Sequence, residues 1–459
     1  MSNEILAKLV QALGDSSVSS DPVDLMRYEH DLTGRFQGTP RAVVRPASIV
    51  EVARTVAICN DDGTAVVPRG GGTSLVGGAV AQRDEIILSL ERLDAVEPVD
   101  TLGRQLTADA GSTLEAVQRQ ARSAALELPI DFPARSAATI GGMIATNAGG
   151  AMALRHGPMR ARVAGLEAVL PDGSVISRLN GLIKDTAGYD LPALLVGSEG
   201  TLAVITRARL HLKQIPPHRM AALIGRPTMA AAIDTVSEIN AALGGALECA
   251  DFFDRSGMDL VLGRMRLRDP LPHEHHVYLV VTLAGSDLDL ADRLVDALGP
   301  DATDAVAAEG TTGISDLWRY REQLNESITA TGLAHKLDVS LPLARIAEFT
   351  EDLHGLIRRH DSAHLVLYGH LGDGNLHVNV LGLERDDLDF DEQILRLVAA
   401  HDGSISAEHG IGMAKRGYLG LTRSEPEIHA MRAIKRALDP NGTLSPGRVL
   451  APARFGDRR

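Results

Sequence analysis

His370 and His377 stand six residues apart within YGHLGDGNLHVNV (368–380), and Glu408, His409 and Gly410 follow downstream. Imidazole nitrogens and a carboxylate oxygen are the donors of a catalytic metal site, in which three protein ligands leave a position open for substrate. Asp373-Gly374 suits a two-residue type I′ turn, because both central residues must take positive φ. A turn centred there pairs Leu371 with Leu376, His370 with His377 and Tyr368 with Asn379. Alternation then puts Tyr368, His370, His377 and Asn379 on one face, with opposed Cβ atoms roughly 4.5–5.5 Å apart. The stretch also suits a polar hairpin whose histidines bond only to backbone. The downstream carboxylate and third imidazole favour a divalent ion held by His370, His377 and Glu408.

Further polar side chains precede the hairpin. Residues 318–328 read as a helix with Arg321 and Asn325 one turn apart on one face. Residues 335–342 read as a strand with Lys336, Asp338 and Ser340 sharing a face. Spacing alone makes Arg321 an exposed helix arginine and Lys336 a strand-edge lysine. Upstream, residues 68–78 (PRGGGTSLVGG) form a glycine loop. Glycine permits positive φ and lets backbone N–H groups converge on an anion such as a pyrophosphate. Neither G-x-G-x-x-G nor G-K-[ST] is present, so the dinucleotide fingerprint and the P-loop fail. Taken alone, such a loop is usually only a loop. A second glycine-rich stretch at 131–150, a polar stretch at 184–190 and GSEGTL at 197–202 change that balance.

The elements around these stretches are mixed. Residues 41–47 form a strand and turn, Ser48 and Glu51 open a helix with a capping box, and 64–67 form a buried strand. Residues 166–176 read as strand–turn–strand. Pro216-Pro217 opens a middle region with strands at 218–225 and 277–284 and a helix at 229–242, an α+β cap. The cluster His273-Glu274-His275-His276 follows a proline and reads as a solvated loop. Helices are expected at 391–401 and 425–437.

With 459 residues, 44% of them hydrophobic, the chain has material for two or three domains. Lys+Arg 46 against Asp+Glu 60 gives a net charge of −14, which argues against nucleic acid and anionic lipid as partners. Only 3% aromatics argues against base stacking. Cys59 and Cys249 are the only cysteines, which suits a reducing cytoplasm without disulfides or iron–sulfur clusters. No signal peptide or membrane insertion is expected. The uncharged run 136–154 is broken by glycines and Asn147 and reads as a buried loop.

In combination, the glycine loop, S-x-x-T-I-G-G…N-A-G-G, K-D-x-x-G-Y-D and G-S-E-G-T-L resemble the flavin domain of the vanillyl-alcohol oxidase/para-cresol methylhydroxylase superfamily. The resemblance implies an α+β fold: a two-part FAD-binding domain with an α+β cap. It divides the chain into a helical lead-in (1–35), the FAD domain (36–215), a cap carrying the metal hairpin (216–402) and a segment returning to the FAD domain (403–459). Position by position it implicates Arg69, Gly70, Gly71, Gly72, Thr73, Ser74 and Gly78 at the FAD pyrophosphate. It adds Ser136, Thr139, Gly141, Gly142, Ala145, Asn147, Gly150, Gly200 and Ile205 along the cofactor. Some relatives attach flavin to a histidine of the first loop. Thr73 and its neighbours include none, so non-covalent FAD is expected.

From R-E at 321–322 to L-D-P-x-G-x-L-x-P near 446, the C-terminal half is similar to flavin-dependent D-2-hydroxyacid dehydrogenases, above all to members acting on D-2-hydroxyglutarate. That likeness makes His409 the general base, a role imidazole suits near neutral pH. It places Asn379 beside the metal and substrate, and gives Arg321 and Lys336 the distal carboxylate. The metal is expected to be zinc, with manganese or iron also suited to mixed N/O ligation. One departure bears on substrate: relatives carry threonine where Asn325 stands. D-lactate, glycolate and another diacid such as D-malate remain open, as does a metal- and nucleotide-binding protein without redox activity. An electron-transfer flavoprotein or a quinone is the expected electron acceptor, and a homodimer is a further expectation.

Overall fold

A computed structural model of the chain describes residues 4–82, 84–384 and 387–451. The outer ends of the 1–35 lead-in and of the 403–459 return segment, residues 1–3 and 452–459, lie outside the described residues. The fold is α+β, and contacts divide it into two compact units. The first takes residues up to 148, 158–215, and those from 409 onward; the second takes 149–157 and 216–408.

In the first unit, β1 (Val18–Ser19), β2 (Ala42–Val44), β3 (Val66–Arg69) and β4 (Ile86–Ser89) form a sheet ordered β1-β2-β4-β3, with β4 parallel to β2 and β3. The crossover between β2 and β3 is the helix Ile49–Asp62. Ser48 Oγ accepts the Glu51 N–H at 3.3 Å, as a cap should. Glu51 itself takes the Ala47 N–H at 2.7 Å, so the expected capping box closes on the residue before Ser48. Strands β5 (Gln105–Asp109), β6 (Leu126–Glu127), β7 (Val163–Val169), β8 (Val175–Arg178), β9 (Val204–His211) and β10 (Lys213–Gln214) follow. Four of them make an antiparallel sheet ordered β5-β9-β7-β8, and β6 pairs with β10. One apolar cluster joins Val66, Ile86 and Leu88 to Leu106, Leu166 and Val204. The return segment is tied in through β3: Val66 donates to Thr443 O at 2.7 Å and Ser445 donates to Val66 O at 2.9 Å.

The second unit is built on seven strands: β11 (His218–Arg226), β12 (Leu247–Asp254), β13 (Val277–Gly285), β14 (Ala305–Glu309), β15 (Ala334–Ser340), β16 (His364–His370) and β17 (Asn375–Leu381). Their order is β14-β11-β13-β12-β16-β17-β15, and every neighbouring pair is antiparallel. Alternation splits β12, β16, β17 and β15 into two faces. Leu337, Val339, Leu367, Leu376 and Val378 are buried on one. His335, on that same face, meets Asp391 of helix Leu388–Ala400 at 2.7 Å. The other face is apolar at one end, where Phe253, Val366, Tyr368 and Leu381 pack with Met258, Val261, Leu324 and Ile328. Each such buried side chain stabilises by about 1.5–3 kcal/mol. The opposite end of that face carries Asp251, His370, Asn375, His377 and Asp338, all buried.

Two local expectations need correction. The 368–380 hairpin turns through Leu371–Asp373, a single 3-10 turn, with Gly374 at φ 82°. Tyr368 therefore opposes His377, His370 opposes Asn375 and Val366 opposes Asn379. Leu341 donates to Gly374 O at 2.9 Å, docking the wider turn against the end of β15. A two-residue slip preserves the faces, and Asn375 joins the polar one. The helix expected over 318–328 is broken: Gly310–Glu322 ends at Gln323, and Leu324–Thr331 begins anew.

Candidate active site

The second unit brings His370, His377 and Glu408 together. His370 ends β16 and His377 lies in β17, their ring centroids 5.6 Å apart and nearly perpendicular. Each turns Nε2 toward one Glu408 oxygen: Oε1 is 4.0 Å from His370 Nε2 and 3.8 Å from His377 Nε2. These separations are slightly wider than the roughly 3.4 Å between ligands of a tetrahedral zinc with bonds near 2.1 Å. The other oxygen, Oε2, accepts the Gly150 N–H at 3.0 Å. Gly150, expected along the cofactor, thus lies in the 149–157 segment that packs with the second unit.

Behind each imidazole stands a carboxylate. His370 Nδ1 is 2.8 Å from Asp251 Oδ1, and His377 Nδ1 is 3.5 Å from Asp338 Oδ1. Burial disfavours charge on His370, but the Asp251 charge and hydrogen bond, with Glu408, outweigh it and raise the imidazole to about 9. Asp338, His377 and Glu408 bring donor atoms within 4.8 Å of one another, a grouping that His370 does not join. The Asp338 oxygens are engaged, however. Oδ1 accepts Asn375 Nδ2 at 2.7 Å; Oδ2 accepts the amides of Ala407 at 3.1 Å and Glu408 at 2.8 Å. Asp338 thus orients the site, and His370 turns its Nε2 to the same Glu408 oxygen from 4.0 Å. The donor set fits a divalent ion: two neutral-capable imidazoles and one carboxylate, each backed by a second group.

Arg321 and Lys336 take separate positions around the same sheet. Arg321 Nε is 2.9 Å from Asp251 Oδ2, an ion pair, and its guanidinium lies 4.4 Å from the Tyr368 ring centroid. Burial pushes the Tyr368 hydroxyl up, opposed by Arg321. Lys336, directly across from Asn379, donates to Asn325 Oδ1 and Thr329 Oγ1, both at 2.8 Å. Burial lowers its pKa. Asn379 Nδ2 donates to His377 O at 3.0 Å. The His273 cluster stays outside the site: His273 Nδ1 is 2.8 Å from Asp304.

His409 follows Glu408 and opens the last segment of the first unit. The chain turns at once, with Gly410 at φ 83° and Gly412 at φ 50°. Glu199, from the GSEG stretch, accepts the Ile411 and Gly412 amides at 2.8 Å each. Burial pushes its carboxyl up, against the pull of those amides and Lys415.

In the first unit the two glycine stretches meet. A Cβ at Gly71 would lie 1.7 Å from Ala137 O, and one at Gly70 2.2 Å from Thr139 Oγ1. A cavity of about 430 Å³ is lined by Arg69, Gly70, Gly71, Gly111, Ser112, Ala137 and Thr139, among others. Bare backbone on two sides of the cavity fits a phosphate-bearing ligand, with Arg27, Glu91 and Asp94 also in its lining. Arg69 spends its guanidinium on the carbonyls of Arg27, Tyr28 and Ala79. Gly72 has φ 70°, and Ser74 O accepts the Leu32 N–H at 3.4 Å. Gly78 has Ser74, Glu199 and Gly412 beside it, and Gly200 at φ 67° sits on Pro68. Thr139 caps the helix Ile140–Thr146, which carries Gly141, Gly142 and Ala145. Gly141 packs on Ala110. Asn147 ends that helix at φ 53° and accepts the Arg160 N–H at 2.8 Å. Ser136 is in the exposed turn before the helix, and Ile205 is buried in the core.

Residues 40–178 match the family described as FAD binding domain, and residues 215–449 match FAD linked oxidases, C-terminal domain. The chain is 37% identical to D-2-hydroxyglutarate dehydrogenase of Xanthomonas citri pv. viticola, across 98% of this chain and 97% of that one. The chain belongs to the FAD-dependent D-2-hydroxyacid dehydrogenase family. It is 35% identical to the mitochondrial D-2-hydroxyglutarate dehydrogenase of Danio rerio, across 96% of this chain and 84% of that one. Para-cresol methylhydroxylase shares the fold, with a TM-score of 0.77 at 16% identity over 98% of this chain and 97% of that one. This member of the family is an FAD-dependent oxidoreductase. No helix among its described residues is long and apolar enough to cross a membrane.

Proposed function

We propose that the chain oxidises a D-2-hydroxy acid at a metal held by His370, His377 and Glu408, with D-2-hydroxyglutarate, giving 2-oxoglutarate, as the preferred substrate. The observation that carries the reading is the doubled arrangement at Glu408, where two imidazoles face one oxygen and each has a carboxylate behind it. A divalent ion at these donors supplies Lewis acidity toward the substrate hydroxyl and α-carboxylate. Non-covalent FAD supplies the hydride acceptor for C2. His409 takes the hydroxyl proton as that hydride leaves. Asn379 holds the substrate beside the metal. Lys336 and Arg321 bind the distal carboxylate, Arg321 through terminal donors beyond the Nε edge facing Asp251. Asn325, hydrogen-bonded to Lys336, shapes that subsite. The electrons pass on to an electron-transfer flavoprotein or a quinone.

One observation favours a second reading, oxidation of D-lactate or glycolate. Asp251 already pairs with Arg321, which lowers its pull on a second carboxylate. Chelation tests the primary reading. Removing the metal, verified by metal analysis, is expected to abolish dye reduction by D-2-hydroxyglutarate while FAD stays bound and is released by acid. Full turnover without metal overturns the reading.

A further inference from the structure

We propose that Asp251 is a positioning residue that joins the two halves of the site: one oxygen fixes His370 for metal, and the other fixes the guanidinium of Arg321 for the distal carboxylate. The inference rests on the metal and diacid reading above.

Asp251 sits in the interior of β12, directly across from His370, and is 1% exposed. Its oxygens are divided, Oδ1 at 2.8 Å from His370 Nδ1 and Oδ2 at 2.9 Å from Arg321 Nε. Burying a carboxylate is costly unless opposite charges and hydrogen bonds offset it, and here both partners are proposed site residues. An imidazole that donates Nδ1–H to a carboxylate keeps its Nε2 lone pair for an ion, and its ring plane is fixed. His370 Nε2 indeed faces Glu408. Arg321 is held on two sides, by the Asp251 charge at its Nε edge, an ion pair whose angle falls short of a hydrogen bond, and by the Tyr368 ring under its plane. Without Asp251 both side chains gain rotamers at once. Metal affinity and diacid preference therefore fall together, which an ordinary buried ion pair does not require.

The test compares Asp251→Asn with wild type, both carrying FAD, by competition with a chromophoric zinc chelator. The variant is expected to bind zinc about 10–100-fold more weakly. At saturating zinc, the ratio of KM for D-lactate to KM for D-2-hydroxyglutarate is expected to fall about tenfold, the worth of one charge-assisted bond. A readout without mutation is ¹⁵N-histidine NMR of the zinc-loaded wild type, where His370 is expected to carry its proton on Nδ1 and metal on Nε2. Zinc affinity within about twofold of wild type in a folded variant overturns the inference, as does His370 ligating through Nδ1. A wild type that binds no zinc, or keeps it in His377→Ala, overturns the metal reading and the inference with it. Failure confined to Asp251→Asn leaves that reading standing.

Discussion

Asp338 accepts the backbone N–H of Glu408 at 2.8 Å, so the strand that carries Lys336 also fixes the chain at the third proposed metal donor. The same carboxylate takes the Ala407 N–H and Asn375 Nδ2 and stands behind His377. It organises the site through these contacts.

Asp338→Ala leaves the Ala407 and Glu408 amides without their acceptor and Asn375 Nδ2 with only Val339 O. Each buried unsatisfied donor costs about 1–3 kcal/mol, so a loss of about 3 kcal/mol or more is expected in urea unfolding. Zinc content at one equivalent of metal is expected to fall with it. Unchanged stability and zinc content would contradict the role given to Asp338.

Glu199 anchors the turn after His409 through two amides of the first unit. Glu199→Gln keeps the shape but leaves one acceptor oxygen for two donors. The expected result is a drop in kcat of about tenfold or more with metal and FAD content unchanged, because misplacing a catalytic group by a fraction of an ångström is costly. Wild-type kcat would show that the turn is held by other contacts.

Metal uptake should depend on pH through His370. Its folded-state value, about 9, lies above the ordinary histidine value because Asp251 and Glu408 outweigh burial. In the metal-free protein this stabilisation is full below about 6.5 and is lost as pH rises through about 9. An incoming ion displaces that proton. Zinc affinity is therefore expected to rise by up to about tenfold per pH unit over the window below about 9 and then level off. Chelator competition at several pH values in that window is the check; a flat profile would mean that His370 gives up no proton to the ion.

The sharing of one face by Tyr368, His370, His377 and Asn379 was legible because alternation survives a two-residue slip. The register was not, since it depends on Leu341 docking against Gly374. The helix break at Gln323 carries no glycine or proline to announce it. Asp338 was visible as a face-mate of Lys336, but its hold on the Glu408 amide, seventy positions away, was not. Asp251 meets His370 across 119 positions, and nothing in its local sequence marks it as more than a strand residue. Glu199 was seen as part of a motif, while its hydrogen bonds to the backbone after His409 needed the fold. Local periodicity reports faces; which distant carboxylate backs which imidazole is decided by strand order.

The diacid preference is measured most directly as kcat/KM of the zinc-loaded enzyme for D-2-hydroxyglutarate against D-lactate, with an artificial dye as acceptor. A charge-assisted hydrogen bond is worth roughly 1.5–3 kcal/mol, or about 10- to 150-fold, and a monocarboxylate forfeits those made by Arg321 and Lys336. The expected result is a preference of about two orders of magnitude for the diacid, largely erased by Lys336→Ala. Equal efficiency on the two acids would contradict it and turn the assignment toward a lactate- or glycolate-oxidising enzyme.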